Sequence, residues 1–170
     1  MTQSLLERRR IEAEFAKSIL ESLTEDVGRE RAIAILVRAV IGLAEKAGET
    51  FAAQRRDGPN NGFPDLLAYA DILSAWAEGD ALTIDLKLRE ADRLEFDVLR
   101  CRYADMYRAL GVADLGAVLS CNRDKAFCIG FNPMIRLTRT QTIMEGADHC
   151  DFRYAIETGP APDDEPGRDG

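Results

Sequence analysis

The sequence contains one histidine, His149, and no two cysteines at the C-x₂₋₄-C spacing of a zinc knuckle. It has no His-x-x-x-His pair, and a single histidine gives Ser-His-Asp catalysis little to work with. The glycine-rich motifs of nucleotide-binding proteins and the G-x-S-x-G turn of α/β-hydrolases are absent too. These absences argue against zinc knuckles, nucleotide-binding folds and serine hydrolases.

Long hydrophobic runs are also missing. The longest, AIAILVRAVIGLA, is interrupted by Arg38 and is shorter than the roughly 20 apolar residues that a membrane span needs. The first ten residues, MTQSLLERRR, carry charge where a signal peptide has its apolar segment. We therefore predict a cytoplasmic protein whose four cysteines are thiols rather than disulfides.

The charge balance restricts the partners. A formal net charge of -8 opposes binding to nucleic acid and to anionic membranes, so we expect neither. The chain of 170 residues fits one domain, which we place at residues 1–157. Residues 158–170 are rich in Pro, Gly and Asp, and we expect them to form a disordered acidic tail.

The hydrophobic periodicity predicts an α+β fold, with N-terminal helices packed on a small antiparallel sheet of about four strands. Apolar residues at helical spacing predict a first helix that includes Ile11 and Phe15, and Thr24 is a plausible N-cap for a second helix. The expected helices are 4–23, 24–54, 65–77 and 102–110, with shorter pieces up to 131; the expected strands are 81–88, 94–100, 134–143 and 150–157.

The stretch EGADHCDFRY places His149 beside Cys150 at the start of the last strand. Strand alternation puts Cys150 on the apolar face with Phe152, whereas Asp151 lies on the opposite face. Cys150 is therefore expected to point toward the core or a cavity within it. His149 points the other way unless it precedes the strand, and it is either a surface residue or a partner of the thiol.

The third strand contains an inward-facing arginine. Ile135 and Leu137 share a strand face with Arg139, so a core on that face would bury the guanidinium. A buried arginine needs an anionic partner or a ligand carboxylate. The alternative is that the strand extends past the core and leaves Arg139 in solvent or paired with a local aspartate.

The segment SCNRDKAFC places Cys121, Asp124 and Cys128 at helical spacings of three and four residues, so all three can share one face. A neighbouring carboxylate raises a thiol pKa, but a helix N-terminus lowers it. We expect Cys121 to lie near such a helix start, and burial is the default for Cys128. Convergence of Cys101, Cys121 and Cys150 on a metal is a weaker alternative, in which Asp105, Asp124 or His149 would complete the site. No metal or cofactor is predicted.

Three segments together resemble the L-2-amino-thiazoline-4-carboxylic acid hydrolase family. They are CRYADMYRALGVADLG, LSCNRDKAF and IRLTRTQTIMEGADHCDFRY. The combination of Cys-x-x-Asp, then Arg-Thr, then Gly-x-x-x-Cys-Asp-Phe-Arg carries the resemblance, in the C-terminal two thirds of the expected domain. Some relatives carry an acid directly after the glycine, where this chain has Ala147 followed by Asp148.

The resemblance implies a hydrolase that opens the C–N bond of a cyclic amidine in a small carboxylate-bearing heterocycle. Such a reaction needs a nucleophile or activated water, a proton donor and an anchor for the carboxylate. The candidate catalytic residues are Cys121, Asp124, Cys150 and His149. The candidate substrate-binding residues are Arg139, Arg153, Cys101 and Asp151, with Arg139 favoured over Arg153 as the carboxylate anchor.

Other functions fit the same sequence. Helices on a small sheet with inward cysteines also suit a non-catalytic small-molecule-binding or sensor domain that resembles the bacteriochlorophyll 4-vinyl reductase-like domains, and this rests on fold analogy. A partner-binding or structural role is a third alternative. The apolar second helix is compatible with a homodimer.

Overall fold

The fold begins with two long helices. In the computed structural model, which describes residues 3–55 and 62–157, these are α1 (Leu5–Val27) and α2 (Arg29–Ala53). The prediction that Thr24 caps the second helix is wrong, because its hydroxyl donates to the carbonyl of Leu20 inside α1, at 2.6 Å. The break falls at Gly28, whose φ of 79° suits glycine better than any other residue.

Helix α1 buries only part of the set predicted by helical spacing: Ile19 and Leu23 pack against the core, but two other members do not. Ile11 and Phe15 are 43% and 70% exposed, whereas Ala13 and Leu20 are buried. The start of α1 was predicted within one residue: Ser4 accepts a hydrogen bond from the backbone N–H of Glu7, at 3.2 Å, and so caps the helix.

Two short helices stand where one was predicted. These are α3 (Leu66–Tyr69) and α4 (Ile72–Ala77), and the carboxylate of Asp65 caps the first by accepting from the N–H of Ala68. Residues 56–61 of the predicted loop lie outside the described residues. The chain then turns through Gly79 and Asp80, both at positive φ, into the sheet.

The sheet has four antiparallel strands in the order β1-β2-β4-β3, which confirms the predicted α+β architecture and the hairpin. The strands are β1 (Leu82–Arg89), β2 (Arg93–Cys101), β3 (Ile135–Thr138) and β4 (Cys150–Ile156). Strand parity in β4 is also confirmed, because Cys150, Phe152 and Tyr154 are buried. The ring of Phe152 stacks on that of Phe96, with centroids 4.8 Å apart.

Strand β3 is shorter than predicted and ends before Arg139. The carboxylate of Asp151 accepts the backbone N–H groups of Thr140 and Gln141, each at 2.9 Å. These two backbone N–H groups therefore donate to a side chain and not to a neighbouring strand, and the backbone leaves the sheet. The predicted inward direction of Arg139 nevertheless holds, since its side chain is largely buried.

The segment between the two halves of the sheet is helical almost throughout. It contains α5 (Arg102–Ala109), α6 (Ala113–Gly116), a π-helical turn (Ala117–Cys121) and α7 (Asn122–Phe131). Because the π-turn continues directly into α7, Cys121 lies inside a helical stretch. The expectation that a helix N-terminus activates Cys121 is therefore wrong. Within the described ranges, no helix is long and apolar enough to cross a bilayer.

Helices α2 and α7 cross at two glycines. A Cβ at Gly48 would overlap the carbonyl oxygen of Phe127 and lie 2.8 Å from the N of Phe131. A Cβ at Gly130 would overlap the carbonyl of Glu45 in the same way. The two backbones are therefore in direct contact, and this contact sets the position of α7 relative to the sheet.

We expect Gly48→Ala to destabilise the protein by about 1–3 kcal/mol, because the added methyl group forces the two backbones apart. Gly42→Ala is the matched control on the same helix, since Gly42 is exposed and a Cβ there would meet nothing within 4 Å. That substitution should raise stability by roughly 0.5–1 kcal/mol through helix propensity alone. Urea unfolding monitored by circular dichroism measures both, and equal effects would contradict the close crossing.

Candidate active site

A cavity of about 600 Å³ lies between the inner face of the sheet and the helices above it. The first two turns of α1, the second half of α2, α4, the π-turn and the start of α7 form its helical walls, and residues of β1, β2 and β4 form its floor. Its volume falls within the range of small-molecule sites.

Three of the four thiols line this cavity. Cys101 comes from the end of β2, Cys121 from the π-turn and Cys150 from the start of β4. Cys128 is buried elsewhere, where its Sγ donates to the carbonyl of Lys125. The fold therefore brings together three of the candidate cysteines from three separate parts of the sequence.

Asp124 and Arg139 form an ion pair in the cavity wall. Nη1 of Arg139 donates to Oδ2 of Asp124 at 2.6 Å, and the side chains are only 15% and 21% exposed for Arg139 and Asp124 respectively. Nη2 of Arg139 donates to the carbonyl of Cys121 at 3.3 Å. The guanidinium also lies over the ring of Phe152, with Cζ 4.9 Å from the centroid. Arg139 thus has the anionic partner that its inward position required.

Burial dominates the electrostatics of these groups. It raises the pKa of the Asp124 carboxyl above its ordinary value, and the Arg139 guanidinium only partly opposes that change. Burial also raises the pKa of Cys101 to about 11. Burial and the nearby Asp124 charge raise the pKa of Cys121, and burial raises that of Cys150. The cavity thiols are therefore protonated at neutral pH.

The cavity contains cations that no sequence motif assigned to a site. Arg8 and Arg9 of α1 and Arg123 of α7 line it together with Arg139. The signal was present in the sequence as ERRR at residues 7–10, but the helix phase that turns two of these arginines toward one cavity depends on how α1 packs. Arg123 is 15% exposed, and burial, followed by the nearby Arg9, lowers its pKa.

Aromatic side chains also line the cavity. They include Phe51 of α2, Trp76 of α4 and Phe127 of α7. The rings of Trp76 and Phe127 lie 6.0 Å apart, edge to face. The cavity therefore offers a ligand both apolar and charged groups.

Three predicted site residues do not line the cavity. The imidazole of His149 is hydrogen-bonded to Gln141 and to Asp148 just before β4 begins. Asp151 holds the turn after β3 on the outer face. Arg153 lies on that outer face as well, where it donates to Asp97 at 2.8 Å. Strand parity explains the last two, because they alternate with the inward-facing Cys150 and Phe152.

The residues that the structure describes include no group of three or more His, Cys, Asp or Glu side chains arranged to hold a metal ion. The cavity thiols and Asp124 line the same cavity but are not arranged as a coordination sphere. The arrangement is instead one of a carboxyl, neutral thiols and guanidinium groups around a space that fits a small molecule.

The fold is similar to that of a solved sensory domain. The crystal structure of the phenol-responsive sensory domain of the transcription activator PoxR with phenol matches with a TM-score of 0.52 and 13% identity. The match covers 87% of this chain and 74% of the PoxR chain. At this identity the likeness concerns the fold. No curated protein matches the sequence at a significant level.

The family comparison covers most of the sequence. The L-2-amino-thiazoline-4-carboxylic acid hydrolase family matches residues 8–154, a range that begins in α1 and ends in β4. It includes the cavity residues from Arg8 to Phe152, among them Asp124 and Arg139. The chain belongs to the L-2-amino-thiazoline-4-carboxylic acid hydrolase family.

Proposed function

We propose that this protein is a hydrolase that opens the ring C–N bond of a cyclic amidine in a small heterocycle bearing a carboxylate, of the kind represented by L-2-amino-thiazoline-4-carboxylate. The observation that carries the proposal is the Asp124 carboxyl, held by Arg139 in the wall of the cavity. The family to which the chain belongs is named for this type of reaction.

In the proposed mechanism, Asp124 acts first as a base and then as an acid. It takes a proton from water as the water oxygen bonds to the amidine carbon and the C=N π electrons move to the ring nitrogen. Asp124 then returns that proton to the ring nitrogen. The tetrahedral carbon then carries a hydroxyl, an amino group and the ring atoms. As the ring C–N bond breaks, its electrons leave on nitrogen, the hydroxyl proton passes to that nitrogen, and the carbon becomes a carbamoyl group.

The environment of Asp124 suits this double role. A carboxyl whose pKa is raised by burial is a stronger base than one in water, and more of it is in the acid form near neutral pH. Arg139 donates to Oδ2 of Asp124, and we assign Oδ1 to the proton transfer. Its positive charge also keeps the base form populated.

The thiols of Cys121 and Cys150 are proposed to contact the ligand and not to attack it. A cysteine nucleophile needs a thiolate, and burial together with the Asp124 charge works against a thiolate at Cys121. Neutral thiols are small groups that pack well against a sulfur-containing or aromatic ring. Direct attack by water therefore requires less rearrangement of charge than a covalent intermediate.

A second candidate is a binding or sensor domain without catalysis, and the aromatic residues that line the cavity favour it. Phe51, Trp76 and Phe127 form a wall suited to an aromatic ring, and the PoxR domain with a similar fold responds to phenol. Calorimetric titration of the wild-type protein with phenol, alongside an assay for ring opening, separates the two. Saturable binding of phenol without any turnover of the amidine supports the sensor, whereas turnover supports the hydrolase.

For the hydrolase, we expect Asp124→Asn to lower kcat for ring opening of L-2-amino-thiazoline-4-carboxylate by about 10²-fold or more, because the amide neither accepts nor returns the proton. Asp105→Asn is the matched control, since Asp105 is 60% exposed on α5 and pairs only with Arg108 in the described chain. Circular dichroism checks that both variants are folded. Full activity in Asp124→Asn would refute the proposed base.

Substitution of Cys121 by serine should leave kcat within about tenfold of wild type, since the attacking group is water. Cys128→Ser provides a comparison at a cysteine outside the cavity. Mass spectrometry of the protein during turnover gives a second readout. A covalent adduct on Cys121 or Cys150 that forms and decays at the catalytic rate would replace the water mechanism with a thiol one.

The pH dependence of kcat/KM should depend on Arg139. Activity rises as the Asp124 carboxyl loses its proton, and the raised pKa places this acid limb above the range of an ordinary carboxyl. Arg139→Gln removes a charge that favours the carboxylate, so the limb should shift to higher pH. Arg139→Lys keeps the charge and should shift it less. A profile unchanged by either substitution would show that another group titrates.

A further inference from the structure

The cavity concentrates positive charge in an acidic protein. The formal net charge of the chain is -8, yet among residues 3–55 and 62–157 four arginines line the cavity against a single carboxylate, that of Asp124. The cations are Arg8, Arg9, Arg123 and Arg139. Since partly buried charges interact strongly with one another, this excess of positive charge favours an anionic ligand.

Arg139 is already engaged within the protein. One of its terminal nitrogens donates to Asp124 and the other to the carbonyl of Cys121. Its charge is balanced by the same carboxylate. A substrate carboxylate placed against Arg139 would also lie beside the Asp124 carboxylate and be repelled by it. The sequence suggested Arg139 as the anchor, but the substrate carboxylate is therefore better bound by other cations of the cavity.

Arg9 and Arg123 are two such cations. Oε2 of Glu12 accepts from Nη1 of Arg9 at 2.7 Å and from Nη2 of Arg123 at 2.8 Å, so the two guanidiniums lie side by side. Glu12 is on the outer side and does not line the cavity. One carboxylate thus holds two cations in place and leaves a net positive charge facing inward.

Both guanidiniums also keep donors available. Nε and Nη2 of Arg9 and Nη1 of Arg123 have no hydrogen-bond partner among residues 3–55 and 62–157. Arg123 is itself held by a hydrogen bond from its Nε to the carbonyl of Leu119, at 2.6 Å. Donors that are held in place but lack partners are well suited to bind a carboxylate in a forked geometry.

We propose that Arg9 and Arg123 bind the carboxylate of the substrate, while Asp124 and Arg139 act on the amidine carbon at the other end of the same small ring. The substrate class rests on the proposed hydrolase function. Arg123 and Asp124 are consecutive residues of α7, and both line the cavity together with Arg9, so one small molecule can reach the two pairs of groups. Arg9 and Arg123 are then substrate-binding residues.

The test compares two substrates that differ only in the carboxylate, L-2-amino-thiazoline-4-carboxylate and 2-amino-2-thiazoline. Arg9→Gln and Arg123→Gln should each raise KM for the first by about 10- to 100-fold, with kcat and the kinetics of the second changed by no more than about twofold. Arg10→Gln is the matched control, because Arg10 lies on the same helix turn but pairs with Glu7 and Glu14 away from the cavity.

Arg9→Gln and Arg123→Gln variants that impair both substrates equally, or no more than Arg10→Gln does, would overturn the carboxylate anchor. Because Arg123 is buried, thermal unfolding checks its variant, and the more exposed Arg9→Gln provides the test if Arg123→Gln does not fold. Calorimetric binding of the same two compounds separates the anchor from the reaction. Preferential binding of the carboxylate compound that is lost in Arg9→Gln, without turnover, would support the anchor and refute the hydrolase.

Discussion

The direct backbone contact between α2 and α7 is the constraint on which the site depends. Gly48 and Gly130 lack the side chains that would otherwise separate the two helices, so α7 lies close against α2. That position sets where the start of α7 and the π-turn before it face the sheet. Asp124 and Cys121 thereby reach the same space as Cys150 from β4. A wider crossing would move the carboxyl relative to the strands that complete the site.

Charge is distributed unevenly over the molecule, and this distribution agrees with the proposed chemistry. Acidic residues outnumber basic ones in the chain, 30 to 22, while the described part of the chain lines the cavity with four arginines and one aspartate. The aspartate pairs with Arg139, and Glu12 bridges Arg9 and Arg123 from outside. The result is one neutralised pair, suited to moving a proton, and one region of residual positive charge, suited to holding an anion. The same cavity is also lined by Phe51, Trp76 and Phe127, and these aromatic residues favour the alternative of a binding function.

Much of the fold was predictable from local pattern. The predicted positions of β1, β2, β4, α2 and α5 agree with the structure to within a few residues, although the alternation in β1 fails at Leu86, which is half exposed. The failures have specific causes. Thr24 resembles an N-cap, but its hydroxyl bonds within α1, and the positive φ at Gly28 makes the break. Strand β3 ends early because Asp151, far along the chain, takes over its backbone donors. The first effect acts within four residues of Thr24 and was a choice between two local roles of one hydroxyl, whereas the second joins residues about ten apart that belong to different elements.

The sequence by itself determined the family, the inward face of the last strand and the need of Arg139 for a partner. Only the tertiary structure decided that this partner is Asp124 and that Arg9 joins the cavity. Periodicity identifies which residues share a face of one element, because that depends on backbone geometry alone. Which faces meet, and therefore which charges are buried together, depends on packing between elements distant in sequence, and above all here on the glycine contact between α2 and α7.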